Sequence, residues 1–194
     1  GHRPDVPIYV LTSGDTASAG EGFSYHLQAM ERAILVGETT YGAGNPGGVH
    51  IVSEGYGVFV STGSARNPIT GTNWEGTGVT PDIEIDADQA LDRALLEAYG
   101  ALEPLAAEEG RRRELGWMRE ALEVAQNPVV LSEAELALYA GDFGPRDIRV
   151  ENGGLVYQRE GRDPVQLIAL GDHRFKFADD DDYRIVFQMD RRGQ

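Results

Sequence analysis

Two short apolar runs near the start of the chain, residues 7–11 and 33–37, constrain its fold more than any other feature. Each contains β-branched residues and ends at a polar or glycine-containing turn, which is typical of a buried strand. Between them, small and apolar residues recur at helical spacing over residues 16–30, where Asp15 or Thr16 can cap the first turn. A strand, a helix and a strand over about thirty residues predict a βαβ unit, and therefore parallel pairing with a right-handed crossover.

The residue patterns divide the whole chain into three modules of an α/β fold. The βαβ unit, a glycine-rich loop (residues 40–48) and two strand-like runs belong to the first module, residues 1–88. Residues 89–128 are rich in Ala, Leu, Glu and Arg, which predicts a helical connector. Residues 129–194 contain five short alternating runs separated by turns, which predict a small antiparallel β module.

Composition excludes several kinds of function. The chain has 17 Lys and Arg against 32 Asp and Glu, a formal net charge of −15, and no basic stripe offsets it. We therefore expect no nucleic-acid partner and no anionic-membrane surface, because phosphate binding depends on clustered cations. There is no cysteine, which rules out thiol nucleophiles and disulfides. Lys176 is the only lysine, so any mechanism that needs a lysine depends on that residue.

A serine lies on the turn between the first predicted strand and the first predicted helix. Ser18 is flanked by Ala17 and Ala19. A hydroxyl on such a turn is exposed, and backbone N–H groups at the start of the helix can stabilise a developing oxyanion. A serine that only caps or packs against the helix would occupy the same place. Taken alone, the turn leaves both interpretations open.

Four motifs that occur in one order give this serine a context. They are Pro-Ile-Tyr-Val-Leu from residue 7, Thr-Ala-Ser-Ala-Gly-Glu-Gly-Phe from residue 16, Arg-Ala-Ile-Leu-Val-Gly-Glu-Thr-Thr-Tyr-Gly from residue 32 and Trp-Glu-Gly-Thr-Gly-Val-Thr-Pro-Asp-Ile from residue 74. Together they resemble the C-terminal processing (tail-specific) protease family, which includes the tricorn core protease and the interphotoreceptor retinoid-binding protein. The resemblance covers residues 6–86 and implies the C-terminal part of a crotonase-like ββα core.

The resemblance also implies roles for individual residues. The family's nucleophile is a serine followed by Ala-x-Glu, which maps to Ser18, and the next backbone N–H, that of Ala19, belongs to the oxyanion hole. The processing proteases carry a lysine base in a Tyr/Phe-Gly-Lys-Gly motif, but here that position is Ala43. The tricorn-like branch uses a histidine from earlier in the chain and a glutamate that Glu75 matches. The alternative for Glu75 is a loop carboxylate that accepts backbone N–H bonds.

The four histidines provide no clear general base. His26 lies two helical turns beyond Ser18, about 12 Å along the axis of a regular helix, which is too far for a direct hydrogen bond. His50 follows the glycine-rich loop, where a surface or core role is favoured, although its reach toward Ser18 stays open. His2 is near the start of the chain, and His173 belongs to the last module. We expect the base histidine in an absent N-terminal part of the same protein, and weak or no activity of this chain alone.

Other motifs point away from cofactors and metals. The glycine-rich loop lacks the Lys-Ser/Thr of a phosphate-binding loop, and the acidic run at residues 179–182 lacks the glycine and distal glutamate of a hand-type calcium loop. No cofactor and no metal ion are therefore expected. The last module resembles the lipocalin-like β modules of many secreted or periplasmic serine hydrolases, which implies a packing or substrate-contact role.

These observations predict a serine-type peptidase that hydrolyses a peptide or protein substrate through Ser18, Ala19 and Glu75. The alternative is a non-catalytic protein that binds a retinoid or another lipid, as the retinoid-binding relatives do on the same fold. Export is suggested by the family resemblance alone. The residues leave open whether the protein is a homo-oligomer.

Overall fold

The strand, helix and strand predicted at the start of the chain are present in the computed structural model, which describes residues 6–188. They are β1 (Tyr9–Thr12), α1 (Ala19–Ala29) and β2 (Ile34–Gly37). The strands pair in parallel, from Tyr9 opposite Ile34 to Thr12 opposite Gly37. The predicted parallel pairing is therefore confirmed. His2 lies outside the described residues.

An antiparallel hairpin follows the glycine-rich loop. It consists of β3 (Gly47–Ser53) and β4 (Tyr56–Ser61), and it forms a sheet of these two strands alone among the described residues. β3 begins at Gly47, within the predicted glycine-rich loop of residues 40–48. The hairpin exposes most of its apolar side chains, and Ile51 is 76% exposed. We call residues 47–61 the apolar ribbon.

A third strand completes the parallel sheet. β5 (Ile83–Glu84) pairs in parallel with β2, so the strand order is β1-β2-β5. Leu35 and Val36 on the central strand are fully buried, and they point to opposite faces because side chains alternate along a strand. Leu35 packs in a cluster with Trp74 and Val79, whereas Val36 packs in a second cluster with two alanines of the following helix. Both faces of the sheet are covered, as a parallel sheet requires.

Helices connect this sheet to the last part of the chain. They are α2 (Ala90–Leu102), a 3₁₀ turn (Glu103–Leu105), α3 (Glu109–Gln126) and the short α4 (Glu133–Ala137). The chain separates into two units, residues 1–98 and 99–194, and the boundary falls inside α2. The three-module division at residues 88 and 128 stays a prediction. No helix within residues 6–188 is both long enough and apolar enough to cross a membrane.

The second unit contains an antiparallel sheet of six strands. They are β6 (Gly141–Asp142), β7 (Arg146–Glu151), β8 (Gly154–Arg159), β9 (Val165–Gly171), β10 (Arg174–Phe177) and β11 (Asp180–Val186). Each strand pairs with its neighbours in sequence, so β6 and β11 are the two edges. The core includes Leu136, Leu155 and Phe175. The predicted antiparallel β arrangement is confirmed.

Candidate active site

Ser18 lies at the N-terminus of α1, on the turn that follows β1. Its backbone has φ 54° and ψ −113°, a conformation that residues other than glycine rarely adopt. Its side chain is exposed. Backbone strain of this kind costs about 1–3 kcal/mol and clusters at functional sites, because the surrounding structure has to maintain it. Ser18 is therefore exposed on a strand-to-helix turn, as the sequence predicted, and its role as a nucleophile stays a prediction.

The backbone N–H of Ala19, directly after Ser18, is a donor without a partner within residues 6–188. Ala19 is the first residue of α1, so the helix itself offers no partner for its N–H. The next N–H, that of Gly20, donates to the carbonyl of Ala17 at 3.1 Å, and no hydrogen bond within residues 6–188 uses the N–H of Ala19. This donor lies at the positive end of the helix dipole, where it can stabilise a negative oxygen.

Glu21, in the first turn of α1, is a fully buried carboxylate with four donors. Its Oε2 accepts hydrogen bonds from the N–H groups of Ser18 and Ala43, each at 2.8 Å. Its Oε1 accepts bonds from the Thr40 hydroxyl and the Gly42 N–H, each at 2.6 Å. Burial acts to raise the pKa of Glu21, but the four hydrogen bonds outweigh it and hold that pKa below the ordinary 4.5. Glu21 is thus ionised at neutral pH.

The glycine-rich loop packs backbone to backbone against residues 74–79. Thr40 accepts a hydrogen bond from the Val79 N–H at its hydroxyl, 2.7 Å away, while that hydroxyl donates to Glu21. The Gly76 N–H donates to the Gly42 carbonyl at 2.8 Å. Gly78 has φ +73°, and a Cβ on it would lie 2.1 Å from the Thr40 carbonyl oxygen. Only glycine allows the two segments to approach so closely.

Glu75 contacts the next two residues of the same loop, Gly44 and Asn45. Its Oε2 accepts hydrogen bonds from the N–H groups of Gly44 and Asn45, each at 2.7 Å. Among the described residues it forms no hydrogen bond to Ser18. The observed contacts are those of the alternative, a loop carboxylate, and the role of Glu75 in orienting a catalytic network stays a prediction.

None of the histidines in residues 6–188 hydrogen-bonds to Ser18. The Nδ1 of His26 bonds to the Gly22 carbonyl one turn back along α1, and its ring lies edge-on to Trp74. His50 is exposed on the apolar ribbon. His173 bonds to the Tyr139 hydroxyl at 2.8 Å in the second unit.

The single lysine forms an ion pair with a residue of the acidic run at residues 179–182. Lys176, on β10, is buried and forms an ion pair with Asp181 on β11. No group of three potential metal-ligating side chains occurs within the described residues.

The sequence analysis named Glu21 only within the Ser-Ala-x-Glu motif. It did not predict the hydrogen bonds of Glu21 to Thr40, Gly42 and Ala43.

Comparisons with known proteins find similarity in the first part of the chain. The model of peptidase family S41 matches residues 1–85. A chloroplastic C-terminal processing peptidase of Tetradesmus obliquus is 34% identical over 83 residues, 43% of this chain and 18% of that protein. A carboxy-terminal-processing protease of Bartonella bacilliformis is 34% identical over 82 residues, 42% of this chain and 19% of that protein. The solved photosystem II D1 C-terminal processing protease is 34% identical over 42% of this chain and 21% of its own, with a TM-score of 0.36.

Residues 1–85 of this chain are therefore similar to peptidase family S41. Within that family, the curated relatives are C-terminal processing proteases, so the resemblance noted in the sequence is confirmed. The chain spans about a fifth of the length of these relatives, 18% and 19% of the two described above.

We predict that Gly78→Ala destabilises the protein more than Gly76→Ala. Both glycines have positive φ, +73° and +71°, so both substitutions introduce the left-handed strain of about 1–2 kcal/mol. Only at Gly78 would the new Cβ also collide with backbone, which we expect to cost about 1–3 kcal/mol more. Urea unfolding of the two variants and the parent measures the difference. Equal losses would contradict the close approach of the two segments.

Glu21 should make the first unit sensitive to acid. Since its pKa in the folded protein lies below the ordinary 4.5, its stabilisation is fully present above pH 4.5 and is lost as the pH falls through the lowered value. Glu21→Gln is expected to flatten this dependence. The measurement is the unfolding free energy against pH, followed by the fluorescence of Trp74 in a Trp117→Phe background. An unchanged slope in Glu21→Gln would disprove the assignment.

Proposed function

We propose that this chain is the serine-bearing part of a serine-type peptidase that hydrolyses peptide bonds in a peptide or protein substrate. The observation that carries the proposal is the strained, exposed Ser18 at the start of α1, within the region that matches family S41. Ser18 is the nucleophile, the Ala19 N–H binds the oxyanion, and Glu75 holds the neighbouring loop through Gly44 and Asn45.

The chemistry follows from these positions. The Ser18 oxygen attacks the carbonyl carbon of the scissile bond, its proton passes to a general base, and the resulting oxyanion accepts a hydrogen bond from Ala19. The base then returns the proton to the leaving amine, and a water molecule hydrolyses the acyl-enzyme. Position 43 holds an alanine, and the histidines of residues 6–188 have their observed contacts elsewhere. We propose that a histidine and the second oxyanion donor come from an N-terminal part of the same protein.

The apolar ribbon supports this proposal independently. A hairpin of two strands is marginally stable on its own, and a contiguous exposed apolar surface usually marks a place that another segment covers. Val49, Ile51, Tyr56 and Phe59 are each more than half exposed on it. We propose that the N-terminal part of a crotonase-like core packs on the ribbon, next to the Ser18 site in the complete protein.

The second unit has a supporting role in the proposal. Its six-stranded antiparallel sheet, with Phe175 in the core, is compatible with a lipocalin-like module, for which we propose contact with substrate. No catalytic residue is assigned to it, because its lysine is engaged by Asp181 and its histidine by Tyr139.

A fluorophosphonate probe tests the nucleophile in the full-length protein. We expect one adduct, on Ser18, that is lost in Ser18→Ala and retained in the matched control Ser13→Ala, whose serine lies on the same turn. This chain alone should label slowly, because an unassisted serine hydroxyl is a poor nucleophile. Efficient peptide hydrolysis that survives Ser18→Ala would overturn the proposal. Tight retinoid or fatty-acid binding without any adduct would favour the non-catalytic alternative.

If another segment covers the apolar ribbon, a substitution on it should destabilise the full-length protein more than this chain. In this chain, Ile51→Ala should change the unfolding free energy by less than about 0.5 kcal/mol, because the side chain is 76% exposed. In the full-length protein the same substitution should cost about 2–5 kcal/mol, as expected for a buried isoleucine. Glu54→Ala, on the hairpin turn, is the control and should have little effect in either. Equal effects of Ile51→Ala in both proteins would show that nothing covers the ribbon.

A further inference from the structure

We propose that Glu21 is the positioning residue of this site, because its one carboxylate holds the Ser18 turn and the loop at residues 40–43 in a defined relation. The geometry of the nucleophile and the placement of residue 43 then depend on the same group. The inference deepens the proposed function and rests on Ser18 being its nucleophile.

A second helix in the chain shows what a simple cap looks like. At the start of α4, the Ser132 N–H and hydroxyl donate to Glu135 at 2.8 Å and 2.6 Å, and the Glu135 N–H donates back to the Ser132 hydroxyl. This is a capping box, which satisfies donors at a helix start. Glu135 is exposed and, among the described residues, its carboxylate bonds to Ser132 alone.

Glu21 goes beyond this role although it occupies the same position relative to its serine. Only its bond to the Ser18 N–H belongs to the cap, whereas the other three donors come from Thr40, Gly42 and Ala43 on a separate loop. Its carboxylate is also fully buried. Helix capping needs neither the burial nor the three distant donors, so these features indicate a further task.

This task is to engage the N–H groups that stabilise the fold while the N–H group that binds the substrate stays free. Glu21 engages the N–H groups of Ser18, Gly42 and Ala43, which therefore point inward. The Ala19 N–H, which follows Ser18 directly in the chain and has no hydrogen-bond partner within residues 6–188, is left for an incoming carbonyl oxygen. Hydrogen bonds to an ionised acceptor are stronger than neutral ones, which helps to maintain the unfavourable φ of Ser18.

The donor arrangement requires a carboxylate. Each Glu21 oxygen accepts two hydrogen bonds, so all four donors are satisfied only when both oxygens are acceptors. In Glu21→Gln the amide nitrogen would face two N–H or O–H donors and one pair of bonds would be lost. The variant keeps the size of the side chain and removes its function.

Site-resolved amide exchange on this chain tests the positioning role without relying on catalysis. In Glu21→Gln we expect exchange at Ser18, Gly42 and Ala43 to accelerate at least about tenfold, the equivalent of 1.4 kcal/mol of lost protection. Exchange at Ile34, whose N–H bonds to Ile8 in the parallel sheet, should stay unchanged. The matched control Glu135→Gln should accelerate exchange at Ser132 only. Uniform acceleration, or none at the three amides, would overturn the proposal.

Reactivity of Ser18 toward fluorophosphonate in the full-length protein provides the second readout. Glu21→Gln should slow labelling at least about tenfold, whereas Glu135→Gln should not. If Glu21→Gln fails to fold, Thr40→Val removes one of the four donors to Glu21, together with the acceptor of the Val79 N–H, and should slow labelling. Thr40→Ser keeps the hydroxyl and should label like the parent. Undiminished labelling in Glu21→Gln or Thr40→Val contradicts the positioning role. If Ser18 of the parent does not label, the proposed function fails, and the exchange experiment still decides the role of Glu21.

Discussion

The first unit depends on a buried negative charge. Moving a carboxylate out of water is costly unless hydrogen bonds replace its hydration. Glu21 recovers that cost only if the turn at Ser18 and the loop at residues 40–43 come together around it. Thr40 extends the arrangement to Val79 on a third segment. Three parts of the chain that are distant in sequence are thus held in one geometry by the solvation requirement of a single side chain.

The same arrangement explains what the site contains. Glu21 accepts hydrogen bonds from the N–H groups of Ser18, Gly42 and Ala43, whereas the Ala19 N–H beside the exposed Ser18 has no partner within residues 6–188, and we propose that it binds a substrate oxygen. No histidine or lysine of the described residues hydrogen-bonds to Ser18, so within them the site has no general base. The exposed apolar ribbon is a second feature that another segment would complete. One proposal, a further part of the same protein, accounts for both.

Local patterns predicted the elements of the fold well, but they contain no signal for the contacts of the site carboxylates. The two apolar runs and the helical periodicity between them predicted β1, α1 and β2, because each signal lies within a few residues. The alternation of side chains along a strand also explains why Leu35 and Val36 pack on opposite faces of the sheet. Glu75 and Glu21 were harder, because a carboxylate that binds backbone N–H groups of a distant loop leaves no periodic signal. The resemblance placed Glu75 near the chemistry, whereas its observed partners are Gly44 and Asn45.

The sequence by itself determined which chemistry is impossible and where the serine lies. The residues of this chain include no cysteine and hold alanine at position 43, so they supply neither a thiol nucleophile nor a lysine at that position, whatever the fold. Only the tertiary structure decided which of two similar glutamates matters. Ser18 and Glu21 are spaced like Ser132 and Glu135, yet one carboxylate is buried under a loop and the other faces solvent. Burial depends on contacts between distant segments, and the burial of Glu21 is the reason why we propose that it positions the site.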